Sequence, residues 1–182
     1  MSNSQMEIII AGFGGQGTVL AGNLLATASM IEDKFVTGMF SYGIEMRGGT
    51  TNTSIIISDE EIASPFIVKP DVAVVLNPPS LDRFEDSVVP GGIIVVNTSM
   101  IKRDLKRKDV ELVEVPATNA AIELGNVRTA NIVALGALIK KTGILKIESL
   151  SKAIEELFAS KKPDLVEINQ SALKKGESIA KF

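Results

Sequence analysis

The residues near the amino terminus best suited to chemistry are Gly12, Gly14, Gly15, Gln16 and Gly17, in the run GFGGQG. They stand between a β-branched stretch and an apolar-rich stretch, so they read as a strand-to-helix turn. Glycines, without Cβ, let the chain turn sharply and let a ligand approach the backbone. The helix that follows offers free N–H groups and the positive end of its dipole, which suits a phosphate or carboxylate. Gly12, Gly14 and Gly17 also match G-x-G-x-x-G, the dinucleotide fingerprint. That reading needs an acid at the end of the second strand to bind ribose hydroxyls. Glu32 and Asp33 have about the right separation but fall at the end of the helix, before that strand. Three readings stay open: an anion site, a dinucleotide site, and glycines that serve only strand–helix packing. Gln16 itself can hold a ligand through its amide, cap the helix, or contact another subunit.

A second group lies in SYGIEMRGG. It holds Tyr42, the only tyrosine, then Glu45, Arg47, Gly48 and Gly49. A guanidinium followed by two glycines can meet phosphate or carboxylate in a bidentate pair while the backbone bends sharply. The alternatives are a Glu45–Arg47 pair that fixes the loop, or an exposed loop without a role. Thr50 and Asn52 extend the same polar edge. A third group is Thr118, Asn119, Asn126, Arg128 and Asn131, between a strand end and a buried helix. Ligands of open α/β sheets bind beyond the carboxyl ends of strands, where Thr118 and Asn119 should lie. Thr118, Asn119 and Asn126 also suit helix capping. Arg128 does not, because a cation near a helix start opposes the dipole; it reads better as an anion ligand. The run KRDLKRK (102–108) either attracts a phosphate or an acidic partner, or is a solvated face.

Composition narrows the chemistry. Among 182 residues there is no cysteine and no histidine, so a thiolate nucleophile, a thiolate cluster ligand set and the commonest general base are all missing. No catalytic residue and no metal ligand set is expected in this chain; a bound cofactor or a partner must carry any redox or acyl-transfer step. The net charge of −3 argues against nucleic acid as the main partner. Apolar residues make up 45% and charged residues 23%, ordinary values for a globular chain. No apolar run reaches the roughly 18–20 residues that span a bilayer, and MSNSQME lacks the regions of a signal peptide. The cytoplasm is the expected location.

These groups need a scaffold. Residues 7–11, 35–40, 53–58, 71–76, 93–97 and 110–115 read as strands, two of them continuous apolar runs of the kind buried on both faces. Residues 16–31 read as a helix with Val19, Leu20, Asn23, Leu24 and Thr27 on one face. Residues 117–124 read as a short helix, 126–143 as a buried one with Lys140 and Lys141 at its negative end, and 149–160 as an amphipathic one with Leu150, Ile154, Leu157 and Phe158 on one face. A last helix over 163–180 is polar and is expected outside on the surface. Residues 41–53 read as an irregular loop or a broken helix. Strands alternating with helices predict a single α/β domain over 1–182, a three-layer sandwich with a largely parallel sheet covered by helices on both faces.

GFGGQG, SYGIEMRGGTTNTSI, PDVAVVLN, GGIIVVN, VPATNAAIELGN and RTANIVALGALI, in this order, resemble the gamma subunit or gamma domain of the 2-oxoacid:ferredoxin oxidoreductases, which act on pyruvate, 2-oxoglutarate, ketoisovalerate or indolepyruvate. The likeness covers about Met6 to Gly143. Ile44 departs from it, since the family often has proline there. The resemblance implies oxidative decarboxylation of a 2-oxoacid to its acyl-coenzyme A, with electrons passing to ferredoxin. It implies thiamine diphosphate, magnesium and iron–sulfur clusters on alpha and beta (and delta) partner subunits, and coenzyme A at the gamma interface. It also implies that this chain is inactive alone. The competing readings are a stand-alone NAD(P)- or flavin-binding oxidoreductase and a ligand-free scaffold subunit.

Overall fold

In the computed structural model, which describes residues 5–42, 50–160 and 162–182 (Tyr42 by its backbone alone), a strand and a helix open the chain: β1 (Gln5–Phe13) and α1 (Thr18–Ile31). Next come β2 (Phe35–Tyr42), β3 (Thr50–Ser58), β4 (Val72–Val75), α2 (Pro78–Phe84), β5 (Ile93–Asn97) and β6 (Glu111–Val115). Four helices follow: α3 (Ala117–Glu123), α4 (Ala130–Thr142), α5 (Ile147–Phe158) and α6 (Asp164–Ile179).

The strands form one sheet in the order β2-β3-β1-β4-β5-β6. β1, β4, β5 and β6 pair in parallel. β3 is antiparallel to both β1 and β2, so it alone runs against the other strands. The stretch that begins at Thr50 is therefore strand rather than irregular loop. Its β-branched Thr and Ile residues suit a pleated surface held on both edges.

Alternation along the strands sorts the core. Ile8, Ile10, Ile55, Ile57, Val74 and Val95 face a thick layer of α1, α3, α4, α5 and α6. Ile9, Ala11, Ala73, Val75 and Ile94 face a thinner layer of Leu81 and Phe84 from α2 with Val88 and Ile101. Helices thus cover both faces, as the sequence predicts.

Two helix faces differ from expectation. On α1 the buried stripe is Thr18, Ala21, Gly22, Leu24, Leu25, Ala28 and Ser29, and of the predicted face only Leu24 is buried. Small residues are chosen because α1 lies hard against β3: a Cβ on Gly22 would stand 2.4 Å from Thr53 Cγ2. α6 does not simply lie outside. It buries Asn169, Ala172, Leu173 and Gly176, and it crosses α4 at two glycines. A Cβ on Gly136 would meet Leu173 O at 2.1 Å, and one on Gly176 would meet Val133 O at 1.9 Å. α4 itself is as predicted in its core, though the chain from Val127 to Thr129 is a tighter 3-10 turn. Lys140 and Lys141 occupy its last turn, and Gly143 ends it in a left-handed conformation (φ 60°).

Candidate functional site

Four parallel strands deliver their carboxyl ends to one place. β1 ends at Phe13, β4 leads into Leu76 and Asn77, β5 ends at Asn97, and β6 leads through Pro116 into α3. Asn77 and Asn97 are fully buried and act as joints. Asn77 Oδ1 accepts from Ser80 N at 2.9 Å and so caps α2. Asn97 Nδ2 donates to Leu76 O (3.1 Å) and to Thr118 Oγ1 (2.9 Å), and Thr118 N donates back to Asn97 Oδ1 at 3.3 Å. Thr118 is thereby fixed from β5; it does not cap α3.

The glycine turn is shaped mostly from within. Gln16 Oε1 accepts from Phe13 N (2.7 Å) and from Asn77 Nδ2 (2.8 Å). A Cβ on Gly12 would stand 2.8 Å from that oxygen, so Gly12 makes room for the Gln16 side chain. Gly17 is left-handed (φ 76°), and its carbonyl accepts from Asn131 Nδ2 at 2.9 Å. Gly15 is also left-handed (φ 95°). Gly14 and Gly15 are exposed, and a Cβ on either would meet no atom within 4 Å among the described residues. Two of the glycines therefore serve packing, and two leave the backbone open to a visitor.

Between these parts lies a cavity of about 270 Å³. Gly15, Gln16, Thr118 and Arg128 supply polar groups with Asn97, and Leu76, Met100, Val127 and Ala130 supply apolar walls. No carboxylate is among these residues. Arg128 is exposed and makes no ion pair among the described residues. α1 has no side-chain cap and no acid in its first turn, so its N–H groups are not neutralised there. The cavity presents hydrogen-bond donors and one cation, which suits an anion with apolar parts.

The family model described as pyruvate ferredoxin/flavodoxin oxidoreductase matches residues 7–179. The chain belongs to this family. It is 38% identical to the 2-oxoglutarate synthase subunit KorC of Methanocaldococcus jannaschii, over 96% of this chain and 94% of that one. It is 39% identical to the common gamma subunit of the pyruvate/ketoisovalerate oxidoreductases of Thermococcus litoralis, over 85% and 87% of the two chains. Its fold recurs (TM-score 0.88, 24% identity) in a 2-oxoglutarate:ferredoxin oxidoreductase of Magnetococcus marinus solved with 2-oxoglutarate, coenzyme A and succinyl-CoA bound. There it covers 97% of this chain and 31% of that one.

Family membership sets aside the stand-alone dinucleotide enzyme, and the topology gives the reason. In a dinucleotide fold the parallel second strand beside β1 carries the ribose-binding acid. Here antiparallel β3 takes that place and brings its amino-terminal end to the turn, with Thr51 paired to Gly12 and Thr50 to Phe13. Glu32 sits at the far end of α1, where it accepts from Lys146 N at 2.6 Å.

Of the predicted site residues, the structure brings together Gly15, Gln16, Thr118 and Arg128 around the cavity. Asn119 is exposed beside it, with its N–H on Ser99 Oγ at 3.0 Å, and does not line it. Asn126 caps the 3-10 turn through Arg128 N at 3.1 Å. Thr50 receives Arg83 Nη1 at 3.2 Å. Glu45, Arg47, Gly48, Gly49 and the Tyr42 side chain lie outside the described residues. Sequence reading missed Leu76, Asn77, Asn97 and Met100, although both VVLN and IVVN announce an asparagine at the end of a buried strand.

In the basic run Lys102, Lys106 and Lys108 are exposed, while the two arginines are paired with acids. Arg103 Nη2 holds Asp82 Oδ1 and Glu85 Oε2, each at 2.7 Å, and Lys106 N and Arg107 N donate to Glu85 Oε1. Arg107 also pairs with Asp109 at 2.5 Å and donates to Val88 O. Burial alone would push the Glu85 carboxyl up. The Arg103 hydrogen bond and the two backbone donors outweigh this and hold it below the usual carboxylate range.

Proposed function

We propose that this chain is the gamma subunit of a 2-oxoacid:ferredoxin oxidoreductase, residues 1–182 acting as one gamma-type domain, and that its cavity receives the phosphate-bearing part of coenzyme A. The observation that carries this reading is a single cavity that joins the glycine turn to Thr118 and Arg128, with no carboxylate among the described residues that line it. Gly14 and Gly15 give backbone access, while Gly12 and Gly17 hold the turn in shape. Gln16 and Thr118 donate hydrogen bonds, and Arg128 supplies the charge. Tyr42, Glu45, Arg47, Gly48 and Gly49 complete the site on the sequence evidence of their motif, and Asn119 stands at its rim.

The chemistry belongs elsewhere in the complex. Thiamine diphosphate with magnesium would supply the carbanion chemistry and iron–sulfur clusters the electron path to ferredoxin, all on alpha, beta or delta subunits, because this chain has no cysteine for a cluster. Its relatives at 38% and 39% identity serve a 2-oxoglutarate synthase and pyruvate/ketoisovalerate enzymes. That spread supports assigning the choice of 2-oxoacid to the partners. The exposed Phe35, Met39 and Phe40 on edge strand β2 offer apolar surface for such a partner. Among the described residues no helix is long and apolar enough to cross a membrane, and we place the complex in the cytoplasm.

The test is gentle purification by an affinity tag, followed by coenzyme A-dependent dye reduction with a panel of 2-oxoacids. Thiamine and iron–sulfur subunits should accompany the chain with one preferred acid, and the chain alone should show no oxidation. A lone chain with no coenzyme A binding refutes the reading.

A further inference from the structure

Two buried asparagines act on the cavity without lining it in the same way. Asn77 is 0% exposed. The Ser80 N–H can only donate, and it donates to Asn77 Oδ1; Asn77 therefore turns its Nδ2 toward Gln16 Oε1, 2.8 Å away. The Phe13 N–H can also only donate, and it takes the same Gln16 oxygen at 2.7 Å. Both lone pairs of that carbonyl are occupied, and the Gln16 amide cannot rotate without losing both partners. Its Nε2 donates to no atom among the described residues, while Gln16 lines the cavity. Asn97 repeats the logic. Its Oδ1 accepts Thr118 N, so its Nδ2 donates to Thr118 Oγ1 and leaves the Thr118 hydroxyl hydrogen free to donate.

We propose that Asn77 is a positioning residue that fixes the hydrogen-bond polarity of the cavity: it locks Gln16 with Nε2 toward the ligand, so that only an oxygen acceptor, such as a phosphate or carbonyl oxygen, is taken there. With Thr118 and Arg128 the described lining is weighted toward donors, which favours an acceptor-rich anion. The inference rests on the reading of this cavity as the coenzyme A site and adds how that site tells acceptors from donors.

The experiment uses the purified complex and measures kcat and KM for coenzyme A at fixed 2-oxoacid, with thermal midpoints. Gln16→Glu keeps an oxygen for Phe13 N and Asn77 Nδ2 and replaces the amino end with an anionic acceptor. KM for coenzyme A should rise about tenfold or more with kcat at saturation little changed, the loss expected for a charge-assisted hydrogen bond. Asn77→Ser keeps a cap for α2 but removes the donor to Gln16, and a smaller rise, about threefold, is expected. A purely structural Gln16 predicts a wild-type KM in Q16E, and that result overturns the proposal. Arg128→Ala separates the two levels. A raised KM in R128A with wild-type values in Q16E and N77S rejects the polarity device alone. Wild-type KM in all three rejects the coenzyme A assignment and the proposal with it. If Q16E fails to assemble, N77S decides, and an unchanged KM there is a rejection.

Discussion

Asn131 of α4 donates its side-chain amide to the carbonyl of Gly17 at 2.9 Å, and this contact ties the start of α4 to the glycine turn across the whole fold. Residues far apart in the chain thereby set one wall of the cavity against the other. Asn131 is buried, and its Oδ1 has no partner among the described residues, so the side chain sits there at a cost that the tie must offset.

Gly17→Ala should therefore damage both fold and site. A Cβ there would stand 2.5 Å from Asn131 Nδ2, on a backbone with φ 76°. The left-handed conformation alone costs about 1–2 kcal/mol for a residue with a Cβ. Thermal denaturation should show at least that loss, and coenzyme A dependence should weaken. Gly14→Ala is the contrast: no atom of the described residues lies within 4 Å of its added Cβ. Its midpoint should match wild type, and any loss of coenzyme A affinity there reports ligand approach to the backbone.

At the α4–α6 crossing, Gly136→Ala should destabilise by about 1–3 kcal/mol or more, because the added methyl meets backbone rather than a movable side chain. Chemical denaturation checks this. A midpoint equal to wild type would mean that the two helices separate freely.

Glu85 predicts a pH dependence of stability. Its carboxyl is held below the usual range in the folded state, so its contribution is complete above the unfolded pKa and is lost as pH falls through the lower folded value. The wild-type chain should lose stability on acidification through and below the ordinary carboxylate range. Glu85→Gln should remove that part of the slope and lower stability at neutral pH by about 1.5–3 kcal/mol, since hydrogen bonds to a charge are broken. Unfolding curves from neutral to acid pH decide it; parallel profiles for the two proteins would contradict the assignment.

Arg47→Ala should lower acyl transfer to coenzyme A more than it lowers stability. The motive is a cation between Met46 and two glycines in a polar stretch. Turnover at varied coenzyme A, with assembly checked by size, tests it. Unchanged coenzyme A dependence in an intact complex removes Arg47 from the site.

Much of this was legible in the sequence because it is local. Gly12–Gly17 between a β-branched run and a helix, the apolar runs DVAVVL and IIVV, and Gly143 after two lysines each state their own conformation. The lack of cysteine and histidine fixes what this chain cannot do alone. Other features depend on partners distant in sequence, which no local pattern records. That β3 is inserted against β1, that α1 buries its small residues, and that α6 meets α4 glycine to glycine follow from close approach of backbones. The basic run reads as solvated charge, and its lysines are exposed, but no local pattern shows Glu85 held under Arg103. Gln16 and Asn77 are ordinary amides in the sequence. Only the tertiary structure, by bringing one-way donors from Phe13 and Ser80 against them, decides which end of Gln16 faces the cavity.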